Sequence, residues 1–400
     1  MADYNDTTQL SDSIRAQYLA DYMEGAKNVR LYDQLASPIG ANMAELSNGS
    51  SVSVPVLSGL NPSTQTISET TDILPVQFVD TTISVTKTSL ANSVVSSEKL
   101  LNNAYTNYGS QWYKKLGENM IESVDAVAKG VACAGSWWQS YAMAARSALD
   151  AGTATQRLTK SMFGLASVML SEKKVPQFLT PRGGRWMAIM HPYAFNDLMQ
   201  EAVITAVGEY QNAGMILNWE LGELNGFSIV VSPWAKLFLS AGADNATAIA
   251  DTLGSAATRL DKTITVASGA SIVAGMKLSI GTEETGSTHY STNEEVTVAS
   301  VASKVITIIG SAENGGLRYD HASGAAVRNA DHVAPVVFGS PESLAKVYDV
   351  EVGEYGELIP PYRDGSVKQF VKAGWKWYGN YSRISEARLL RAEVSLSIQA

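Results

Sequence analysis

Residues 47–96 have the sequence SNGSSVSVPVLSGLNPSTQTISETTDILPVQFVDTTISVTKTSLANSVVS, and this stretch is the most informative part of the chain. Nineteen of its 50 residues are Ser or Thr, Phe78 is its only aromatic residue, and Lys87 is its only basic residue. Apolar and polar residues alternate near both ends, a pattern that predicts two strands with one apolar face. A two-stranded arm is marginally stable alone, so we expect a neighbouring subunit to cover it. The expected inter-subunit contacts are Val52, Val54, Val56, Ile83, Val85 and Lys87.

The composition of the chain fits a surface that is largely covered by partners. Apolar residues make up 45% of the 400 residues, while charged residues make up only 17%, below the roughly 25% usual in soluble domains. An ordinary neutral surface explains the low charge equally well. The net charge of −9 argues against a dedicated nucleic-acid binder, which would carry a basic stripe.

The N-terminus and the hydropathy pattern bear on where the protein resides. The first residues, Met-Ala-Asp-Tyr-Asn-Asp, are acidic and precede no apolar core, so we expect no signal peptide. No apolar run approaches the ~18 residues of a membrane span. The single cysteine, Cys133, is expected to be a buried thiol. These features predict a protein that stays in the cytoplasm unless a larger particle carries it out.

A long amphipathic helix is predicted over residues 108–134, where an apolar stripe repeats every three or four residues. A helix of this length serves as a spine for a sheet. Shorter helices are predicted over residues 10–35, 155–171 and 193–206. The expected inner side of the 155–171 helix consists of Leu158, Met162, Leu165 and Met169. The expected core residues of the spine helix are Trp112, Leu116, Met120, Val124, Val127 and Val131.

Short buried strands are predicted before Pro192 and over residues 226–233. Between Phe238 and Phe338 the composition changes, because the intervening residues contain no Trp, Phe or Cys. We expect residues 241–331 to form a small inserted β-barrel or sandwich domain. Its predicted strands are 263–266, 277–280, 295–299 and 304–309.

The C-terminal residues alternate cleanly between apolar and polar side chains, which predicts a strand with one buried and one wet face. We expect this strand to return to the sheet beside the long helix, since no other element remains to cover it. The predicted fold class is α+β. The buried face is expected to hold Leu390, Ala392, Val394, Leu396 and Ile398, and the wet face Arg391, Glu393, Ser395 and Ser397.

The histidines and acidic pairs do not form a recognisable site. None of the four histidines lies three or four residues from another, as helical zinc pairs require. His191 precedes a proline and favours a structural hydrogen bond, whereas His321 and His332 are expected at the surface. The acidic pairs 283–284 and 294–295 lack calcium-loop spacing and are expected to be solvated.

Two further patterns are weak evidence for a catalytic or sugar-binding function. Residues 96–99 and 171–174 match Ser-x-x-Lys, but the companion motifs of acyl-transfer enzymes are missing. The aromatic pairs at 137–138 and at Trp375 and Trp377 favour core or subunit contacts over sugar binding. The sequence therefore predicts no enzyme, no catalytic residue, no cofactor and no metal.

Several loose stretches, taken in their order along the chain, resemble the major capsid proteins of tailed bacteriophages, which have the Hong Kong 97-type fold. The likeness is greatest to the capsid proteins of N4-type phages and their prophage relatives. The stretches cover most of the chain apart from the predicted insertion. They are Leu10–Leu19, Arg185–Phe195, Gly222–Pro233, Ala373–Arg383 and Leu390–Val394.

The resemblance implies a role for each segment of the chain. The implied segments are an N-terminal arm (1–46), an extended loop (47–96), a peripheral domain (97–184) with spine helix 108–134, an axial domain (185–240 and 332–365), an inserted β domain (241–331), and C-terminal strands of the peripheral domain (366–400).

The resemblance also implies self-assembly into hexamers and pentamers of an icosahedral virion capsid, made in the host cytoplasm. Such a shell encloses double-stranded DNA without sequence-specific binding, and decoration or scaffolding proteins would be further partners. Two other interpretations remain open. A β-rich surface or adhesive protein would need the missing signal peptide, and a cytoplasmic enzyme with an accessory β domain would need a catalytic set.

Overall fold

The computed structural model describes about two thirds of the chain. The described residues are 31–38, 51–57, 63–67, 69–70, 75–103, 108–134, 149, 156–180, 183–201, 222–239, 249–281, 292–312, 314–329, 332–349, 351–364 and 369–397.

Four helices lie within these residues: α1 (Glu98–Asn103), α2 (Tyr108–Cys133), α3 (Lys160–Glu172) and α4 (Pro192–Met199). The predicted spine helix is confirmed as α2, which has 26 residues. The helix predicted over 155–171 begins later, because its N-cap Thr159 has an extended backbone. The helix predicted over 193–206 ends at Met199, and the positions after 201 lie outside the described residues. Of the helix predicted over 10–35, the described part is a bend and a short 3-10 turn at Asp33–Leu35.

Nineteen strands are described. They are β1 (Ala36–Pro38), β2 (Ser51–Leu57), β3 (Asp80–Thr86), β4 (Thr88–Ser97), β5 (Phe178–Thr180), β6 (Gly183–Met190), β7 (Glu223–Leu224), β8 (Phe227–Val231), β9 (Ala250–Thr252), β10 (Thr263–Thr265), β11 (Lys277–Ile280), β12 (Glu294–Ala302), β13 (Val305–Ile309), β14 (Ala326–Asn329), β15 (Val333–Gly339), β16 (Leu344–Tyr348), β17 (Glu357–Asp364), β18 (Phe370–Arg383) and β19 (Leu389–Ser395).

The chain divides into two compact units. Among the described residues, the first unit contains 36–124 and 344–384, and the second contains 31–35, 125–343 and 385–397. The division falls within α2. It therefore also divides the segment 97–184 that the sequence assigns to one domain.

The first unit is built around a five-stranded sheet with β18 at its centre. One edge of β18 pairs with β4, and the other edge pairs with β17 and then with β16. Trp375 and Trp377 on this strand are buried, as the preference for core contacts predicts. Trp375 Nε1 donates to Asn119 Oδ1 of α2 at 3.1 Å, so the first part of α2 lies against this sheet.

The second unit contains a sheet in the order β19-β15-β6-β8-β7, with β5 paired to β6. Helices α3 and α4 contribute to the core on one face of it, where Phe163, Phe227 and Phe338 meet edge to face or tilted. The predicted inner side of α3 is wrong at Leu165, which is 49% exposed. Phe163 and Ala166 point inward instead, because Phe163 packs against the phenylalanines of the sheet.

The C-terminal strand does not return to the sheet beside α2. β19 pairs with β15 over its whole length, in the second unit. The prediction of a wet face is also wrong, because Arg391, Glu393 and Ser395 are buried, and Arg391 Nε lies 3.1 Å from Glu393 Oε1. Alternation therefore located the strand correctly but not its sheet or the burial of its polar face.

The predicted boundary at residue 365 is wrong as well. The family resemblance implies that residues 332–365 belong to one domain and residues 366–400 to another. In the structure, β16 and β17 pair with β18, whereas β15 and β19 pair with each other. β18 has 14 residues, so two strands can pair along one of its edges. β16 and β17 therefore belong to the same sheet as β18.

Six strands between residues 250 and 329 form an antiparallel sheet in the order β10-β13-β12-β11-β14-β9. Its first and last strands meet, since Gly254 N donates to Thr265 O and Ala267 N donates to Thr252 O, both at 2.8 Å. The sheet is thus a closed barrel rather than a sandwich. Its interior is filled by Ile249, Leu253, Ala257, Ile264, Val266, Ile272, Leu278, Ile280, Val296, Val298, Ile306, Ile308, Leu317 and Val327.

Candidate inter-subunit surfaces

Strands β2 and β3 form the two-stranded hairpin that the sequence predicts. Ser51 pairs with Thr86 and Leu57 with Asp80, in unbroken register. Val52 lies directly opposite Val85, so the two apolar side chains share a face, while Ser and Thr alternate with them. Like the isolated hairpins that are marginal in water, this one needs support from outside itself.

The base of the hairpin has that support within the first unit. Val52 and Val85 are buried against Val347 of β16, and Ile83 packs partly buried beside them. Two predicted inter-subunit contacts therefore serve an intramolecular role. Lys87, between β3 and β4, is half-buried, and the side chains of Val54 and Val56 lie outside the described residues.

The segment that connects the two strands exposes large apolar side chains. Ile67 is 86% exposed, Val76 65%, Phe78 61% and Val79 60%. Four such residues in one Ser/Thr-rich segment indicate a contact surface rather than scattered surface apolar residues. None of the four is among the contacts predicted from the sequence, although their isolation within a polar tract is a usable signal. We call these four residues the apolar tip.

The spine helix buries a wider stripe than the one predicted. Leu116, Met120, Val124 and Val127 are buried, whereas Trp112 and Val131 are partly buried. Buried residues that the prediction omitted broaden the stripe, as is usual for a helix packed into a globular core. They are Tyr113, Ile121, Ala128, Ala132 and Cys133.

Asp125 of α2 is a buried anchor that the sequence did not reveal. Its carboxylate accepts hydrogen bonds from the backbone N–H groups of residues 31–33, at 2.9–3.2 Å, and from Trp234 Nε1 at 2.8 Å. Burial raises the pKa of Asp125 to about 6, although these donors and the nearby Lys129 favour the carboxylate. This side chain holds three separate segments of the second unit together.

The histidines that the sequence placed at the surface are buried. His321 Nε2 lies 2.9 Å from Glu294 Oε1, and His332 Nε2 lies 2.7 Å from Glu295 Oε2. The prediction that the pair 294–295 is solvated is therefore wrong for Glu294. Burial raises the pKa of Glu294, but hydrogen bonds from His321 and from the backbone at 318–319 outweigh it and lower the pKa. These two histidine–glutamate contacts stabilise the barrel.

His191 has the structural role that the sequence favours. Its Nδ1 accepts a hydrogen bond from Tyr193 N at 3.3 Å and so caps the start of α4. Burial, with a further contribution from His332, lowers the pKa of His191 to about 4. The ring is therefore neutral at pH 7, as an acceptor at this position must be.

The described residues hold no cluster of three or more His, Cys, Asp or Glu side chains with metal-binding geometry. Nor does any described helix have the length and hydropathy to cross a membrane. The predicted positions 10–30, Trp137, Trp138, His289 and 283–284 lie outside the described residues.

Solved structures of bacteriophage capsids share this fold. The fold is that of phage capsid chains, and the similarity extends over nearly the whole molecule. The capsid chain of cyanophage P-SCSP1u matches with a TM-score of 0.53 at 12% identity, over 93% of this chain and 92% of that one. The capsid of Ralstonia phage GP4 gives 0.51 at 10% identity, over 93% of both chains.

A third similar structure is the acid-stable capsid of Helicobacter pylori bacteriophage KHP30, with a TM-score of 0.51 at 9% identity, over 92% of this chain and 89% of that one. No protein-family model and no curated protein sequence matches the chain. The likeness therefore lies in the fold, at identities where sequence similarity has largely disappeared.

Proposed function

We propose that this chain is the major capsid protein of a tailed bacteriophage, a structural protein without catalytic activity, and that it has the Hong Kong 97-type fold. The observation that carries the proposal is the match to capsid chains over 92–93% of this chain, which leaves little of it for a different function. The subfamily of N4-type capsid proteins stays a prediction from the sequence stretches alone.

The proposed parts follow the two units. The five-stranded sheet with the first part of α2 is the peripheral domain, and the sheet of β19, β15, β6 and β8 with α3 and α4 is the axial domain. The closed barrel is an inserted domain on the outer surface, where it would not interfere with shell contacts. Hexamers and pentamers of such subunits would form an icosahedral shell around double-stranded DNA.

The hairpin and its connecting segment are the proposed extended loop, which covers an adjacent subunit. The apolar tip supports this assignment, since each large side chain that becomes buried contributes about 1.5–3 kcal/mol. Val52 and Val85 instead fasten the base of the loop to its own subunit. Decoration or scaffolding proteins are further proposed partners.

Electron microscopy of the purified protein, alone and with the loop shortened, tests the proposal. In the shortened variant an Asn-Gly turn replaces residues 58–79 and joins β2 directly to β3. We expect the full chain to form shells or capsomers, and the variant to stay a folded, soluble subunit with unchanged circular dichroism. A full chain that remains monomeric at high concentration, under all assembly conditions, contradicts the capsid function. A variant that forms normal shells contradicts the covering role of the loop.

A further inference from the structure

The hairpin leaves the five-stranded sheet across a single residue, Lys87. β3 ends at Thr86, which pairs with Ser51, and β4 begins at Thr88, which pairs with Gly379 of β18. The chain thus changes sheets between consecutive strands. The carbonyl of Thr86 lies where the regular ladder ends, so its hydrogen-bond donor has to come from outside the hairpin.

Asn380 of β18 supplies that donor. Its Nδ2 donates to Thr86 O at 2.7 Å, while its Oδ1 accepts from Tyr381 N at 2.8 Å. The side chain is 9% exposed. Because both ends of the amide are bonded, its orientation is fixed, and the hydrogen bond to Thr86 has a fixed direction.

An apolar contact lies beside this hydrogen bond. Val347 is directly opposite Asn380 in the pairing of β16 with β18, so both side chains point to the same face of the sheet. Val347 packs against Val52 and Val85, which lie opposite each other in the hairpin. We call Asn380 and Val347 the arm socket.

We propose that Asn380 is a positioning residue that, with Val347, sets the angle at which the hairpin leaves its own subunit. The hydrogen bond fixes the end of β3, and the valine contact fixes the face of the hairpin one residue away. Together, the hydrogen bond and the apolar contact restrict rotation of the hairpin relative to the sheet. Either contact alone would permit this rotation. The inference rests on the proposed function, because a fixed angle matters only if the apolar tip must meet a neighbour.

The angle can be measured on the unassembled full-length subunit with spin labels at Thr82→Cys and Ala91→Cys, both exposed positions on either side of the joint. The native Cys133 is buried and stays unlabelled. We expect one narrow distance distribution for the parent protein. Asn380→Ala should widen it at least two-fold, and adding Val347→Ala should widen it further. The matched control is Asn92→Ala, which removes an exposed amide contact in the same sheet and should leave the distribution narrow.

Asn380→Asp separates positioning from simple loss of folding. At pH 7 a carboxylate cannot donate to Thr86, so the distribution should be wide. A neutral carboxyl group can donate, and burial raises its pKa, so near pH 4 the width should return toward that of the parent at the same pH. A narrow distribution in Asn380→Ala, or a width in Asn380→Asp that does not depend on pH, overturns the proposal.

Assembly is measured separately, by light scattering and microscopy. We expect Asn380→Ala to assemble at least ten-fold more slowly than the parent, with unchanged urea unfolding of the subunit. If a variant with a widened distance distribution between the spin labels assembles normally, the arm socket has no role in assembly. If the parent itself never assembles, the capsid function fails, while the distance distributions still decide whether Asn380 positions the hairpin.

Discussion

At the scale of single residues, two buried carboxyl groups of the second unit, those of Asp125 and Glu294, respond to pH in opposite directions. The pKa of Asp125 is raised, mainly by burial, whereas that of Glu294 is lowered because hydrogen bonds from His321 and the backbone outweigh burial. Glu294 therefore contributes stability that is present above its ordinary pKa and is lost as the pH falls through the lowered value. Asp125 has the reverse effect.

Asp125→Asn isolates that reverse effect. Between about pH 4 and pH 6 the folded chain holds a proton on Asp125 that the unfolded chain has released, so the free energy of unfolding falls as the pH rises through this window. The asparagine variant lacks this dependence. We expect the difference in unfolding free energy, parent minus variant, to fall by roughly 3 kcal/mol at most between pH 4 and pH 7.

Urea unfolding of the unassembled subunit at several pH values measures this difference. Glu201→Gln is a suitable control, because it also alters a carboxylate that accepts a backbone hydrogen bond in the second unit while leaving Asp125 intact. A difference that stays constant would show that folding leaves the pKa of Asp125 unchanged, and a difference that rises with pH would show that the folded protein favours the carboxylate form.

Several of these residues could not be predicted from one sequence. Asp125 lies off the apolar stripe of α2 and looks like an ordinary solvated charge, yet it is buried among backbone N–H groups more than 90 residues distant. His321 and His332 are buried because Glu294 and Glu295 of β12 accept from them. Such pairings depend on tertiary contacts that hydrophobic periodicity does not encode.

At the scale of elements, periodicity was informative where one face dominates. The bounds of α2 and of β11 were predicted to within one residue, because their apolar patterns are strong. The inner side of α3 was predicted less well, because apolar residues surround the helix and Leu165 could not be distinguished from Phe163 as an inward residue. The strands β9 and β14 were missed, because their sequences, Ala-Asp-Thr and Ala-Val-Arg-Asn, do not hold two large apolar residues in alternation as β11 does.

The apolar tip is expected to contribute to assembly and not to the folding of the subunit. Replacing all four of its residues, Ile67, Val76, Phe78 and Val79, by Ser removes exposed apolar area without touching the core. We expect each substitution to change the unfolding free energy of the subunit by less than about 0.5 kcal/mol. We expect the protein concentration needed for assembly to rise at least ten-fold, as measured by sedimentation.

The barrel offers a matched control for the tip. Leu260, Val273, Val305 and Ile309 are also large, exposed and apolar, and their replacement by Ser should leave assembly unchanged if the barrel lies on the outer surface. Equal effects of the two four-residue variants would indicate non-specific loss of hydrophobic surface, and normal assembly of the tip variant would remove the tip from the interface.

At the scale of the whole molecule, the order of segments was predicted and their grouping was not. The sequence indicated the hairpin, the spine helix, a β insertion and the C-terminal strand. It did not show that β18 takes β4, β16 and β17 as partners, or that β19 joins β15 in the second unit. Apolar alternation indicates that a strand has a buried face. The sheet that the strand joins depends on which strand edges remain unpaired after the other strands have paired.

The independence of the barrel is the prediction for the whole molecule. The chain enters and leaves the barrel segment beside a bridge between Phe238 and Val333, whose N–H groups donate to each other's carbonyl at 2.9 and 3.0 Å. An Asn-Gly turn can therefore replace residues 239–332 without separating the ends. Because the barrel has a core of its own, the shortened chain should keep its remaining sheets, with a Tm within a few degrees of the parent, and should still assemble into shells.

Calorimetry measures the Tm, and electron microscopy shows whether shells form. The control for the junction is a chain that keeps the barrel and carries the same Asn-Gly insertion after Leu239. The deletion removes both His332 and Glu295, so it leaves neither partner of that contact unpaired. Expressed alone, residues 249–329 should unfold cooperatively, because the closed sheet leaves no open edge and buries its apolar residues inside. An unfolded barrel fragment together with an insoluble shortened chain would mean that the barrel and the neighbouring sheet fold only as one body.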